Sequence, residues 1–266
     1  MCSACGGITG ADLIKIPNQS QNLGEKNAGK KVSDMVEADA SVNWTGTKGK
    51  AVGTAKYNAD FSALYSGAEK SGHFFPIEFD SRYYDKPVTL SGRTGGDKEV
   101  TPSSSDPYLI TRIENLSDGK TLTAKVDQNE IFSVDFSDVT LESAINVLPQ
   151  DTSLEGFNKT VKELIDENVK ISANGEVTGK LKSIQGFTEF SSVVSEQSGH
   201  YLPVKIDKQY LGKEVSVTGR STTKVTVKQE TDLYFILRVA STSTTFKFKD
   251  GNNEFMKLTF KNATLE

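Results

Sequence analysis

The sequence predicts a mainly β chain: two similar small antiparallel β-sandwich or barrel-like domains in tandem, with a short helical linker and an N-terminal arm. Three observations predict it. The second half of the chain repeats the first, period-two alternation of apolar and polar residues dominates, and helical periodicity is sparse, with its best stretch near the middle and one or two turns expected over Lys31–Ala38.

The duplication is clearest at Ser71-Gly-His-Phe-Phe-Pro76 against Ser198-Gly-His-Tyr-Leu-Pro203, an offset of 200 − 73 = 127. The match continues without a gap through Lys86-Pro-Val-Thr-Leu-Ser-Gly-Arg93 and Lys213-Glu-Val-Ser-Val-Thr-Gly-Arg220. Asp106-Pro-Tyr-Leu-Ile-Thr-Arg-Ile113 faces Asp232-Leu-Tyr-Phe-Ile-Leu-Arg-Val239, and both copies close on Thr-Leu-Glu, at Glu142 and Glu266. Gaps fall in polar, turn-rich places, where insertions do least harm.

Within each copy the pattern reads as six to eight short strands, a range set roughly by turn spacing. Phe246 and Phe248 alternate with lysines, and Met256, Leu258 and Phe260 share one face of the last strand. Asp250-Gly-Asn-Asn and Asp127-Gln-Asn are matched hairpin turns. The continuous runs Tyr108-Leu-Ile and Tyr234-Phe-Ile-Leu suggest a central strand buried on both faces. Helix is expected over Ser153–Asn168, where Leu154, Phe157, Val161, Leu164 and Ile165 recur at helical spacing behind a capping Ser153. The predicted divisions are an arm over 1–30, a β domain over 31–142, a linker carrying the start of the helix over 143–160, and a second β domain over 161–266. In the arm, Ile8, Leu13, Ile14 and Ile16 are the apolar anchors, set to dock on a neighbouring subunit or to stay in a disordered tail.

A net charge of −4 with both signs mixed argues against nucleic-acid binding, which needs a basic stripe to displace counterions. No secretory leader and no membrane span is expected, since no long apolar run occurs. Cys2 and Cys5 are spaced C-x-x-C, but zinc needs four ligands and nothing helical follows a strand there, so a tail is the expectation and no metal or cofactor is assigned.

His73 and His200, the only histidines, occupy the same repeat position, with Ser71 and Ser198 two residues before on the same strand face. A Ser–His pair is geometrically open, yet no triad context accompanies it, so an imidazole bonded to the backbone is the favoured reading and no catalytic residue is assigned. Arg112 and Arg238 interrupt apolar strands at matched positions. Since a buried charge needs a partner, they are expected to pair with the matched aspartates Asp80/Asp207 or Asp106/Asp232. Trp44, Tyr83 and Tyr210 are the candidate contact aromatics, and Trp44 has no repeat counterpart.

The order of motifs carries a resemblance. Val161-Lys-Glu-Leu-Ile165, Val177-Thr-Gly-Lys-Leu-Lys182 and Gly186-Phe-Thr-Glu-Phe190 precede Ser195-Glu-Gln-Ser-Gly-His-Tyr-Leu-Pro203, Leu237-Arg-Val239 and the terminal Leu-Glu266 strand. This resembles small β domains in virion proteins of tailed bacteriophages, over most of both repeats. The resemblance implies a non-enzymatic head decoration or head-fibre-like accessory protein, located in the virion after assembly in the host cytoplasm. It would bind other virion proteins, the major capsid protein or itself, without nucleic acid or membrane. The first copy departs from it in the longer Thr101-Pro-Ser-Ser-Ser-Asp106 loop, and the cysteine-bearing arm has no partner in the repeat. The alternative is a carbohydrate-binding or adhesive tandem module, which needs exposed aromatics on both copies.

Overall fold

A computed structural model describes residues 8–27, 29–59, 71–154, 159–185, 198–219 and 221–266. The chain divides into two compact units, Met1–Glu142 and Ser143–Glu266. Each is mainly β and sandwich-like, and among the described residues no sheet closes into a barrel.

In unit 1 the strands are β1 (Ile14–Lys15), β2 (Ser41–Thr45), β3 (Lys48–Ala55), β4 (Tyr57–Asn58), β5 (Gly72–Phe79), β6 (Val88–Ser91), β7 (Lys98–Val100), β8 (Tyr108–Arg112), β9 (Thr121–Val126) and β10 (Asn129–Leu141). The large sheet runs β2-β3-β10-β9-β6-β7, and the small one sets β5 between β8 on one side and β1 and β4 on the other. Their inner faces share one core, with Phe75 of β5 edge-on to Phe136 of β10 at 5.2 Å and Phe79 tilted against Phe132 at 5.9 Å. Among the described residues all strand pairings of this unit but one are antiparallel. The exception joins β3 and β10 in parallel, with a register shift between Asp135 and Asp138. Gly53 sits in that strand at φ +96, and a Cβ there would lie 2.5 Å from the Ala40 Cα, so only glycine lets β3 pass.

Unit 2 repeats this plan. Its strands are β11 (Ile145–Val147), β12 (Ser153–Leu154), β13 (Lys159–Thr160), β14 (Lys170–Ile171), β15 (Glu176–Leu181), β16 (Ser183–Ile184), β17 (Gly199–Ile206), β18 (Glu214–Thr218), β19 (Thr222–Thr226), β20 (Tyr234–Val239), β21 (Thr245–Asp250) and β22 (Asn253–Leu265). The large sheet runs β14-β15-β22-β21-β18-β19, with β15 and β22 parallel and a shift at the same place, between Thr259 and Asn262. Gly179 matches Gly53, at φ +93 and against the Val169 backbone. One cross-strand pair differs. Lys50 and Asp138 form an ion pair of 2.6 Å across β3 and β10, whereas Glu176 accepts from the Asn262 amide across β15 and β22.

Four expectations are corrected. The linker over 143–160 is not one, because its residues Ile145–Val147 form β11 and pair with β17, as Ile14–Lys15 pair with β5. The Asp80 and Asp207 N–H groups donate to Leu13 and Ala144, so the entry strands are themselves repeated. The arm over 1–30 does not stand apart: Leu13, Ile14 and Leu23 are buried in the unit 1 core. The helix over Ser153–Asn168 shrinks to a single turn, α1 (Val161–Leu164), with Leu154 in a strand and Phe157 outside the described residues. Glu163 caps that turn through the Thr160 N–H, and Ile165 leaves it to bridge Leu181, so burial of Val161, Leu164 and Ile165 fixes one turn without propagating it. Finally, β5 and its counterpart β17 are the central strands of the small sheets, while among the described residues β8 and β20 lie at an edge; β8 is still buried on both faces over 109–111, whereas β20 alternates.

Candidate functional site

The repeated Gly-His and Thr-Leu-Glu motifs meet in space. His73 stands near the start of β5, and its Nε2 lies 2.5 Å from the carbonyl oxygen of Glu142, just past the end of β10. In unit 2 the His200 Nε2 lies 2.6 Å from the Glu266 carbonyl. A carbonyl can only accept, so each Nε2 carries a proton and donates. The two closing strands are thus tied to the small sheet at matched points.

Unit 1 adds a second bond. The His73 Nδ1 lies 2.5 Å from Glu114 Oε1, and the His73 backbone N–H donates to both carboxylate oxygens at 3.0 and 3.2 Å. His73 is buried, and the Tyr57 ring meets its edge at 5.7 Å. Arg112 completes the cluster, its Nε 3.5 Å from Glu114 Oε2 and its guanidinium donating to Asn115 Oδ1 at 3.2 Å. Burial pushes the Glu114 carboxyl up, but the His73 hydrogen bond, the His73 charge and the backbone N–H groups pull it down further, so it lies below its ordinary value. The glycine before the histidine is required: Gly72 has φ +144, and a Cβ there would collide with the Arg112 guanidinium, as Gly199 at φ +150 crowds Arg238.

The predicted Arg–Asp pairs are not formed. Arg112 is set against Glu114, and Arg238 donates to the Ser198 carbonyl at 3.0 Å. Asp80 and Asp207 instead cap short turns through the Arg82 and Gln209 N–H groups, Asp106 pairs with Lys26, and Asp232 accepts from Lys228 and Gln229. Sequence reasoning missed Glu114, because position 240 in the second copy is alanine and the carboxylate has no repeat partner to flag it. No Ser71–His73 couple forms, since both imidazole nitrogens are engaged elsewhere.

The candidate contact residues scatter. Ile8 is 62% exposed, whereas Leu13 and Ile14 are buried and Ile16 packs against the same core. Trp44 is half-buried against Gly10 and Gly49, edge-on to Phe132 at 6.4 Å. Tyr83 is half-buried beside Phe79, and burial raises its hydroxyl above the usual tyrosine range. Tyr210 is 1% exposed and stacks on Phe255 at 4.1 Å, with Lys213 over its other ring region at 5.5 Å. These aromatics do not assemble into a shared surface platform. Cys2 and Cys5, like Arg220, lie outside the described residues, and no cluster of metal-ligating side chains occurs among those described. Shallow depressions among the described residues include one lined by Asp12, Lys15, Glu78 and Tyr84 and another lined by Gln150, Lys162, Asp166 and Lys182; both are polar and open to solvent.

Comparison of the chain with protein-family models, with characterised proteins and with solved structures gives no match.

Proposed function

We propose that this chain is a structural component of a tailed-phage virion, a capsid decoration or accessory head protein that binds other virion proteins, the major capsid protein or further copies of itself. The observation that best supports the reading is the use to which the repeated polar groups are put. In both units the Gly-His imidazole is bonded to the main chain at the end of the last strand, so the residues most alike between the copies hold the fold. In unit 1, moreover, general-base work by His73 would first require breaking a bond on one of its ring nitrogens. The order of motifs, which resembles β domains of phage virion proteins, supplies the setting. Two linked copies of one module offer two related surfaces, an arrangement that raises avidity on a repetitive shell.

Mass spectrometry of gradient-purified particles tests the reading. The expected result is this chain at a fixed ratio to the major capsid protein. Recovery only in the unassembled fraction of the lysate would refute it.

A further inference from the structure

Among the described residues the small sheet of unit 2 ends on β20, which has one neighbour, β17. The direction of the β20 backbone follows from hydrogen bonds on the far side of β17. The Leu148 N–H donates to the Pro203 carbonyl at 3.2 Å, and the Asp207 N–H to the Ala144 carbonyl at 3.1 Å. Residues 203, 205 and 207 therefore turn their backbone groups toward β11 and its flanks. Pro203 stands opposite Ile236, and Lys205 opposite Tyr234. Facing pairs of this kind exchange no hydrogen bonds in an antiparallel ladder. Ile236 and Tyr234 thus point their N–H and C=O groups away from β17, out of the sheet edge.

Other strands that end a sheet carry devices against pairing. Strand β7 holds Lys98 and Glu99, β19 holds Lys224, and β14 is two residues long and begins on Lys170. Strand β20 is six residues long, reads Tyr-Phe-Ile-Leu-Arg-Val, and keeps an unbroken register without proline or bulge. The matching strand of unit 1 differs. Pro107 precedes β8, and Ile110, which also stands opposite a proline, is 4% exposed where Ile236 is half-buried.

We propose that β20 pairs antiparallel with β20 of a second copy of this chain, about a two-fold axis at Phe235. Tyr234 then stands opposite Ile236 of the second copy, and Ile236 opposite its Tyr234. Each outward N–H of these residues meets an outward carbonyl. On the outer face an aromatic ring lies against a β-branched side chain on both sides of the axis, a pair that stabilises sheets. In the same register Arg238 runs toward Asp232 of the second copy, so like charges do not meet. The strand is in this way complementary to itself, which selects a second copy as the occupant. A two-fold contact uses one patch twice and closes at a dimer. The proposal gives a surface to the self-association named above and rests on the virion reading for its setting alone.

Sedimentation velocity on the full chain, with amide hydrogen exchange on the same samples, tests it. Wild type is expected to pass from monomer to dimer as concentration rises. The Tyr234 and Ile236 amides should exchange freely when dilute and be protected in the dimer, while the Phe235 and Leu237 amides, bonded to β17, stay protected throughout. Ile236→Pro removes an N–H that no ladder bond of the monomer uses, and should weaken the dimer at least about tenfold. Ile236→Lys places a charge on the same edge and should do likewise, with its folding checked by circular dichroism. A wild type monomeric at every concentration overturns the proposal, as does a dimer that persists in folded Ile236→Lys. Tyr234 and Ile236 amides protected at every dilution also overturn it, because the edge is then covered within the chain. A chain monomeric in solution whose Ile236 amide becomes protected on purified particles gives the edge to another virion protein, which removes this contact and leaves the virion role standing. A dimer formed by a chain absent from particles keeps the contact and removes that role.

Discussion

Replacing Glu114 with glutamine probes the cluster that unit 1 has and unit 2 lacks. The carboxylate accepts the His73 imidazole at 2.5 Å and the His73 backbone N–H at 3.0 Å, with the Arg112 Nε at 3.5 Å. Breaking one side of a fully buried pair costs about 3–5 kcal/mol. Here the Glu114 side chain is 32% exposed, so water reaches the groups left behind, and the glutamine carbonyl keeps one acceptor for the backbone N–H. The expected loss is therefore about 2 kcal/mol for Glu114→Gln and about 3 kcal/mol for Glu114→Ala. Trp44 is the single tryptophan and lies in unit 1, so its fluorescence during urea unfolding reports that unit alone. The pH dependence has a definite sign. Glu114 is depressed in the folded state, so its contribution is fully present above the ordinary carboxylate value of 4.5 and is lost as pH falls through the lower folded value. The advantage of wild type over Glu114→Gln should shrink below that pH. Equal urea midpoints at neutral pH, or an advantage that grows in acid, would refute the reasoning.

Further outcomes follow from the same structure. Ala240→Glu places a carboxylate at the position matching Glu114 and should stabilise unit 2 by about 1 kcal/mol, read from circular dichroism, with the Trp44 transition unmoved. Gly53→Ala and Gly179→Ala combine a positive φ with backbone at 2.5 and 2.7 Å, and each should cost about 3 kcal/mol, against about 1 kcal/mol for Gly24→Ala, which has open space; thermal unfolding ranks them. Tyr210→Ala removes a fully buried ring and should lose about 3–5 kcal/mol, so a glycan-binding defect in that variant must be checked against folding by the same melt. Glu163, held by the Thr160 N–H and Lys159, should titrate at about 2 in a carboxyl NMR titration, and Thr160→Pro, which removes that N–H, should raise it.

What the sequence revealed and what it hid divides along a physical line. Alternation identified β21 and β22, because side chains of a strand with one wet face must alternate whatever the partner. The Asp127-Gln-Asn turn was legible too, and both Asp127 and Gln128 adopt positive φ there. Pairing was not legible. The matched Gly-His and Thr-Leu-Glu motifs stood out as similar, yet only the parallel return of β10 along β3 brings Glu142 to His73. The short run Tyr108-Leu-Ile read as a central strand because hydrophobicity does not distinguish an edge from a centre when the edge is half covered. The apolar spacing of 154–165 matched a helix, but two neighbouring pairings, of Leu154 with Lys159 and of Ile165 with Leu181, outweigh a marginal helical nucleus. Glu114 shows the opposite limit: comparing two copies finds only what they share.

The parallel closing pair bears on how the chain folds as well as on what it becomes. Lys48 pairs with Ser133 and Glu176 with Thr259, so each unit is completed by contacts 85 (133 − 48) and 83 (259 − 176) residues apart, late events for a growing chain. Until then β3 waits with an unpaired edge, and a second strand of nearly the same pattern, β22, follows on the same chain. Two similar units invite the wrong closing strand. The polar pair beside the register shift discriminates. Lys50 meets Asp138 and Glu176 meets Asn262 in the native arrangement, whereas exchange would set Glu176 against Asp138, two carboxylates in contact, and leave Lys50 facing a neutral amide. The divergence at these four positions gives each half of the duplication its own address during folding.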